Sequence, residues 1–216
     1  MLNHPIRIGI LGGGMMSQIG HLPFYLDDRR CELVRLAESR PSLIEALRKQ
    51  IGPGRIVADH RALFDDASID AIVVSAPRPA TGPLTLAALE SGKHVMAEKP
   101  MAHTVNQARR LVDAAARRGL VYAVGFMKRY DPGVQAAKSL FDEVLRDNRL
   151  GRLLFARFFD YSNAYAVPPP AHTRPRESRT VRFETWPMHP DWLPERYHGI
   201  YPWRSEERRV GKECRL

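Results

Sequence analysis

Ile6-Arg7-Ile8-Gly9-Ile10-Leu11-Gly12-Gly13-Gly14-Met15-Met16-Ser17 is the stretch on which the fold turns. Six mostly apolar residues, Ile6 to Leu11, read as a strand buried on both faces, and they run directly into three glycines. The spacing Gly12-x-Gly14-x-x-Ser17 matches the dinucleotide fingerprint G-x-G-x-x-G/A with serine in third place. Each position has a physical task. The first glycine makes a tight turn, the second lets backbone approach a pyrophosphate, and the third needs only a small side chain for close helix–strand contact. The helix that follows presents N–H groups and a partial positive charge to the phosphates. A plain glycine loop is the competing reading, and the strand before and helix after argue against it.

Downstream, apolar runs alternate with helical patterns. Strands are expected at Glu32 to Ala37, Arg55 to Val57, Ile69 to Ser75, Val95 to Ala97 and Leu120 to Val124. Helices are expected from Pro41, closed by Gly52; from Pro83 to Glu90; and from Thr104, closed by Gly119. Thr104 and Gln107 form a capping box, and Ala108, Leu111, Val112 and Ala115 form that helix's apolar stripe. Strands alternating with helices predict an α/β fold with a doubly wound parallel sheet, and the glycine turn makes it a dinucleotide-binding Rossmann domain over residues 1–125. After it the texture changes. Tyr130 to Arg149 is amphipathic, Leu153 to Tyr161 alternates like a strand, and His172 to Arg204 reads as an irregular surface insertion rich in Pro, Arg and Trp. Residues 126–203 are therefore read apart from the first domain, and 204–216, which lacks any hydrophobic period, is expected to be a disordered, non-native tail.

Glu38 closes the second strand 24 residues past Gly14, where the fold places an acid on the adenosine ribose. The plain alternative is a solvated loop carboxylate. Arg40, with Ser39, could instead hold a 2′-phosphate, but Glu38 would repel it, so NAD is favoured, with NADP possible. Gly92-Lys93-His94-Val95-Met96-Ala97-Glu98-Lys99-Pro100 ends a strand in a carboxylate and an ammonium, where parallel sheets gather functional groups. A solvated surface lysine is the ordinary reading of Lys99; a cation beside a substrate oxygen is the functional one.

Composition bounds the rest. The chain has 216 residues, 44% hydrophobic and 26% charged, as in an ordinary soluble protein. No apolar run is long enough for a membrane span and no signal-peptide core is evident, so a cytoplasmic location is expected. Cys31 and Cys214 give no disulfide framework; His172, His189 and His198 lack metal-ligand spacing and are read as solvated, so no metal is expected. The net charge of +9 would permit a nucleic-acid partner, but no basic stripe with interleaved aromatics accompanies it, and none is expected.

Taken together, the Ile8–Ser17 turn, Ile69 to Pro77, Gly92 to Pro100 and Val124-Gly125-Phe126-Met127-Lys128-Arg129-Tyr130-Asp131-Pro132 resemble the Gfo/Idh/MocA family over roughly residues 5–160. This group includes glucose-fructose oxidoreductase and inositol dehydrogenase. The resemblance implies an NAD(P)-dependent oxidoreductase acting on a sugar, polyol or related hydroxy compound, homo-oligomeric at full length, with residues 126–203 the start of an incomplete α+β substrate domain. It assigns Lys99 as the catalytic lysine between nicotinamide and substrate. Cofactor contacts fall on Gly12, Gly14, Met15, Met16, Glu38, Arg40, Ser75, Pro77, Glu98 and Lys99. The sequence departs from the family pattern at two places: Arg78 and Thr81 replace an Asn and a His after Pro77, and no D-x-x-x-H motif follows Tyr130. The second departure leaves a dinucleotide-binding module without catalysis as the alternative.

Overall fold

The computed structural model describes residues 4–148, 151–152, 154–155, 157, 171–189 and 195. The chain falls into two units, one of Met1–Val124 with Thr173–Leu216 and the other of Gly125–His172. The first is a parallel sheet of β1 (Ile6–Leu11), β2 (Cys31–Ala37), β3 (Ile56–Val57), β4 (Ala71–Val74), β5 (His94–Ala97) and β6 (Tyr122–Val124). Its strand order is β3-β2-β1-β4-β5-β6, the doubly wound arrangement. Connections run through α1 (Leu22–Asp27), α2 (Pro41–Ile51), α3 (Arg61–Asp65), α4 (Arg78–Glu90) and α5 (Val105–Arg117).

Both sheet faces are covered, which is why the strands read as continuous apolar runs rather than as alternation. Successive residues still point to opposite faces. Ile10 and Val73 enter a core with Leu22, Leu33, Leu36, Leu43 and Leu47. Leu11 and Val74 enter the other, with Leu63, Ile72, Leu89 and Val95. In the second unit, α6 (Pro132–Arg146) begins at Asp131, whose carboxylate accepts from the Gly133 and Val134 N–H groups. Its apolar residues Val134, Leu140 and Leu145 are exposed.

Four expectations are corrected. The helix expected from Pro83 starts at Arg78, with Pro77 as its N-cap and Pro83 inside it. Proline at position 83 removes the N–H that would reach the Pro79 carbonyl, and the Trp186 N–H donates to that carbonyl instead, at 2.8 Å. In α5, Val112 is 51% exposed, and Leu111, Ala114 and Ala115 form the buried face. Residues 173–189 do not belong with the 126–203 stretch as a surface insertion. They pack on the Rossmann unit, where the Phe183 ring joins the core and the Trp186 ring fills the space that a Cβ on Gly82 would take, 2.5 Å away. His172 and His189 are half-buried rather than solvated. The expected strand at Leu153 to Tyr161 falls mostly outside the described residues, as do His198 and the 204–216 tail.

One buried cation tests the loop between α3 and β4. The Lys93 ammonium donates to the Asp66 and Ile69 carbonyls at 2.8 and 2.9 Å. Lys93→Met keeps the stem but strips two carbonyls of their donor. It is expected to destabilise the chain by about 1–3 kcal/mol in urea unfolding; an unchanged midpoint would show that water replaces the ammonium there.

Candidate functional site: the carboxyl edge of the sheet

β1 stands between β2 and β4, so the chain reverses direction beside its carboxyl end, and that is where doubly wound sheets open a crevice. Gly12 closes the strand. Its N–H donates to the Ala37 carbonyl at 3.0 Å, and its φ of +99° lies in the region open to glycine. A Cβ at Gly12 would stand 2.2 Å from the Ser75 carbonyl oxygen, so the turn is wedged against the end of β4. At Gly14 a Cβ would meet only an Arg40 nitrogen at 3.9 Å. Gly14 thus leaves the open approach that a pyrophosphate needs. The first helical residues, Met15 and Met16, follow it with N–H groups that have no intrahelical partner.

Ser17 is fully buried, and its hydroxyl donates to the Gly12 carbonyl. That bond gives the third fingerprint position a reason to be serine. Ser17–His21 is a π-helical turn, a form often found at functional sites. It carries His21 inward. His21 Nε2 lies 2.9 Å from the Glu98 carboxylate, and the imidazole stacks on Tyr25 with ring centroids 6.1 Å apart. Sequence reasoning did not single out His21. Its partner is 77 residues away, and no local signal marks the pair.

Glu38 is buried at the end of β2, as is Arg40 just beyond it. The Arg40 guanidinium forks onto both Glu38 oxygens at 2.8 and 2.6 Å, and the Gly13 N–H donates to the same carboxylate at 3.0 Å. Burial pushes the Glu38 carboxyl up, but the Arg40 hydrogen bonds, the Arg40 charge and the Gly13 N–H outweigh it and hold the group below its usual value.

Residues Val74 and Ala97 are in register, which sets Ser75 beside Glu98 along the same edge. Ser75 N–H donates to the Leu11 carbonyl at 2.9 Å and Glu98 N–H to the Val74 carbonyl at 2.9 Å. The Pro77 carbonyl accepts the Ala80 and Thr81 N–H groups of α4. Thr81 and Arg78 are absorbed locally. The Thr81 hydroxyl donates to the Ala76 carbonyl at 3.3 Å, and the Arg78 carbonyl sits 3.1 Å from His103 Nε2. Lys99 is exposed at the edge, adjoining Glu98. The structure therefore brings Gly12, Gly14, Met15, Met16, Glu38, Arg40, Ser75, Pro77, Glu98 and Lys99 to one side of the sheet.

A further wall was not foreseen. Residues 173–187 cross this edge without regular secondary structure. Gln18 exchanges two hydrogen bonds with the Thr173 backbone, Ser42 donates twice to Glu177, and the Thr180 hydroxyl donates to the Ser39 carbonyl at 3.0 Å. Farther along, the Gln107 amide donates to the Pro187 carbonyl at 2.8 Å and Arg110 stacks over Trp186.

The Glu98 carboxyl is held below its usual value, chiefly by its hydrogen bond with His21, against an opposing burial effect. A depressed carboxylate contributes stability at neutral pH, and that contribution fades as pH falls below the ordinary value of 4.5 and through the folded-state value. Glu98→Gln is expected to lower the melting temperature at neutral pH and to flatten its decline on the acid side. Parallel acid limbs for the two proteins would show that the pair contributes nothing.

The description "Oxidoreductase family, NAD-binding Rossmann fold" (GFO_IDH_MocA) matches residues 6–126. The chain is 35% identical over 130 residues to D-glucoside 3-dehydrogenase of Escherichia coli, covering 60% of this chain and 37% of that protein. It is 37% identical over 142 residues to inositol 2-dehydrogenase of Paracoccus denitrificans, covering 64% and 42%. Among solved structures, KijD10, a 3-ketoreductase from Actinomadura kijaniata in complex with NADP and TDP-benzene, superposes with a TM-score of 0.60 at 30% identity over 65% of this chain and 43% of that one. The chain thus spans about two fifths of the length of these relatives. A glycine turn wedged against Ser75, an acid at the end of β2 and Glu98-Lys99-Pro100 at the end of β5 fall inside the matched region, and the chain belongs to the Gfo/Idh/MocA oxidoreductase family.

Proposed function

We propose that this chain supplies the cofactor half of an NAD(P)-dependent oxidoreductase that moves a hydride between nicotinamide and a hydroxyl-bearing carbon of a sugar, polyol or similar compound. One observation carries the reading: the sheet register puts the glycine turn, Ser75 and Glu98-Lys99 on a single edge. The relatives' names support the substrate class, as one is a glucoside dehydrogenase and the other an inositol dehydrogenase.

The cofactor, when bound, accepts or returns the hydride. The residues of this chain do the rest. Gly12, Gly14 and the N–H groups of Met15 and Met16 cradle the pyrophosphate, with Ser75 and Pro77 walling the crevice from β4. Glu98, fixed by His21, holds the end of β5, and exposed Lys99 would orient the substrate hydroxyl and, as the neutral amine, take its proton as hydride leaves. No helix among the described residues is long and apolar enough to cross a membrane.

Titration of the 216-residue chain with NADH and NADPH is expected to raise its melting temperature. Lys99→Ala should leave that shift in place, since this reading assigns the side chain to the substrate hydroxyl. In an enzyme of full family length the same substitution should lower kcat by at least about a hundredfold. Unchanged turnover with cofactor bound would remove Lys99 from the chemistry. A melting shift from dinucleotide with no turnover at full length would favour the non-catalytic binding module.

A further inference from the structure

The Glu38 corner carries more information than its sequence position. An acid there is expected to favour NAD, because it accepts the ribose hydroxyls and repels a 2′-phosphate. The structure undoes both effects. One Glu38 oxygen accepts the Ser39 N–H, the Arg40 N–H and Arg40 Nε at 2.9, 2.9 and 2.8 Å. The other accepts the Gly13 N–H and Arg40 Nη2 at 3.0 and 2.6 Å. Five donors fill a group with about four lone-pair sites, so no acceptor remains for a ribose hydroxyl. The charge of Glu38 is likewise matched by the guanidinium that forks onto it.

A second guanidinium stands at the same corner. Arg179 and Phe183 line a narrow cleft with Gly12, Ala37, Glu38 and Ser39. Arg179 is half-buried, its guanidinium stacks 4.9 Å from the Phe183 ring centroid, and among the described residues it makes no ion pair. Burial above all, and then the neighbouring Arg40, disfavour its charge, and Glu38 only partly offsets them. The corner therefore holds two guanidiniums against one carboxylate, and the carboxylate is already spent on Arg40. A half-buried cation whose nearest carboxylate is already bonded to another guanidinium leaves room for an anion. Its placement is firm, because the Thr180 hydroxyl is tied to the Ser39 carbonyl, Glu177 to Ser42 and the Trp186 N–H to Pro79.

We propose that Arg179, presented by the 173–187 segment, recognises the adenosine 2′-phosphate, so that this site takes NADP in preference to NAD. The inference rests on the cofactor reading above and adds the residue that selects between the two dinucleotides. Arg40 remains with Glu38; Arg179 swings from the Phe183 ring to meet the phosphate with its planar fork, while the backbone anchors of the segment stay in place.

The test is equilibrium titration of the full 216-residue chain with NADPH and NADH, followed by nicotinamide fluorescence, for the unaltered protein, Arg179→Gln and Arg179→Lys. The unaltered chain should bind NADPH at least about tenfold more tightly than NADH, as expected for a charge-assisted contact. Arg179→Gln should erase that preference by weakening NADPH alone, and Arg179→Lys should restore part of it. The 2′,5′-ADP to 5′-ADP affinity ratio should follow the same order and reads the corner without nicotinamide. Equal or tighter NADH binding by the unaltered chain overturns the proposal, as does an equal loss for both dinucleotides in Arg179→Gln. Failure of either dinucleotide to bind any of the proteins would instead overturn the cofactor reading, and this inference with it.

Discussion

Among the glycines of the described residues the tightest constraint is between two backbones: a methyl group at residue 12 would stand 2.2 Å from the Ser75 carbonyl oxygen. Nothing but glycine fits there, and the contact draws the ends of β1 and β4 together while the Gly12 N–H holds the end of β2. The crevice outside those three strand ends follows from this arrangement. So does the buried Ser17, whose hydroxyl satisfies the carbonyl that the turn leaves without a strand partner. Through the β4–β5 register the same wedge sets where Glu98 and Lys99 emerge. The His21–Glu98 pair then ties the helix after the turn to the end of β5, so that both sides of the crevice are fixed by one set of contacts.

A second dependence runs through α4. Pro83 inside the helix leaves the Pro79 carbonyl without its intrahelical donor, and Gly82 beside it leaves a hollow. Trp186 answers both, with its N–H on the carbonyl and its ring in the hollow. Two features that weaken a helix thereby become the seat of a distant segment. That segment brings Phe183 into the core and Arg179 to the Glu38 corner. The corner beside Glu38 is thus built from residues more than a hundred positions apart.

Much of this was legible in the sequence. The strands announce themselves as apolar runs because helices cover both faces, and the glycine spacing, Glu38, Glu98 and Lys99 are local patterns that the sheet order brings to one edge. The Thr104–Gln107 capping box is likewise local: Thr104 accepts the Gln107 N–H at 3.2 Å. What sequence reasoning lost is tertiary. Prolines at 79 and 83 disguised the start of α4, since only a donor from residue 186 makes Pro83 tolerable. Val112 looked like part of an apolar stripe, yet the sheet lies toward Leu111 and Ala114. The position of Glu38 suggests a carboxylate open to ribose, whereas in the fold it is filled by Arg40 and three backbone N–H groups. His21 and Arg179 carried no signal at all, because each matters through a partner far along the chain.

The central claim is that the glycine turn, the end of β4 and the end of β5 form one dinucleotide crevice. Amide hydrogen exchange of the chain with and without saturating NADPH tests it most directly. The account predicts that protection rises together at residues 12–17, 75–78 and 97–99, with little change in α6. Dinucleotide binding that protects a different part of the chain, or the glycine turn without the end of β5, would contradict it.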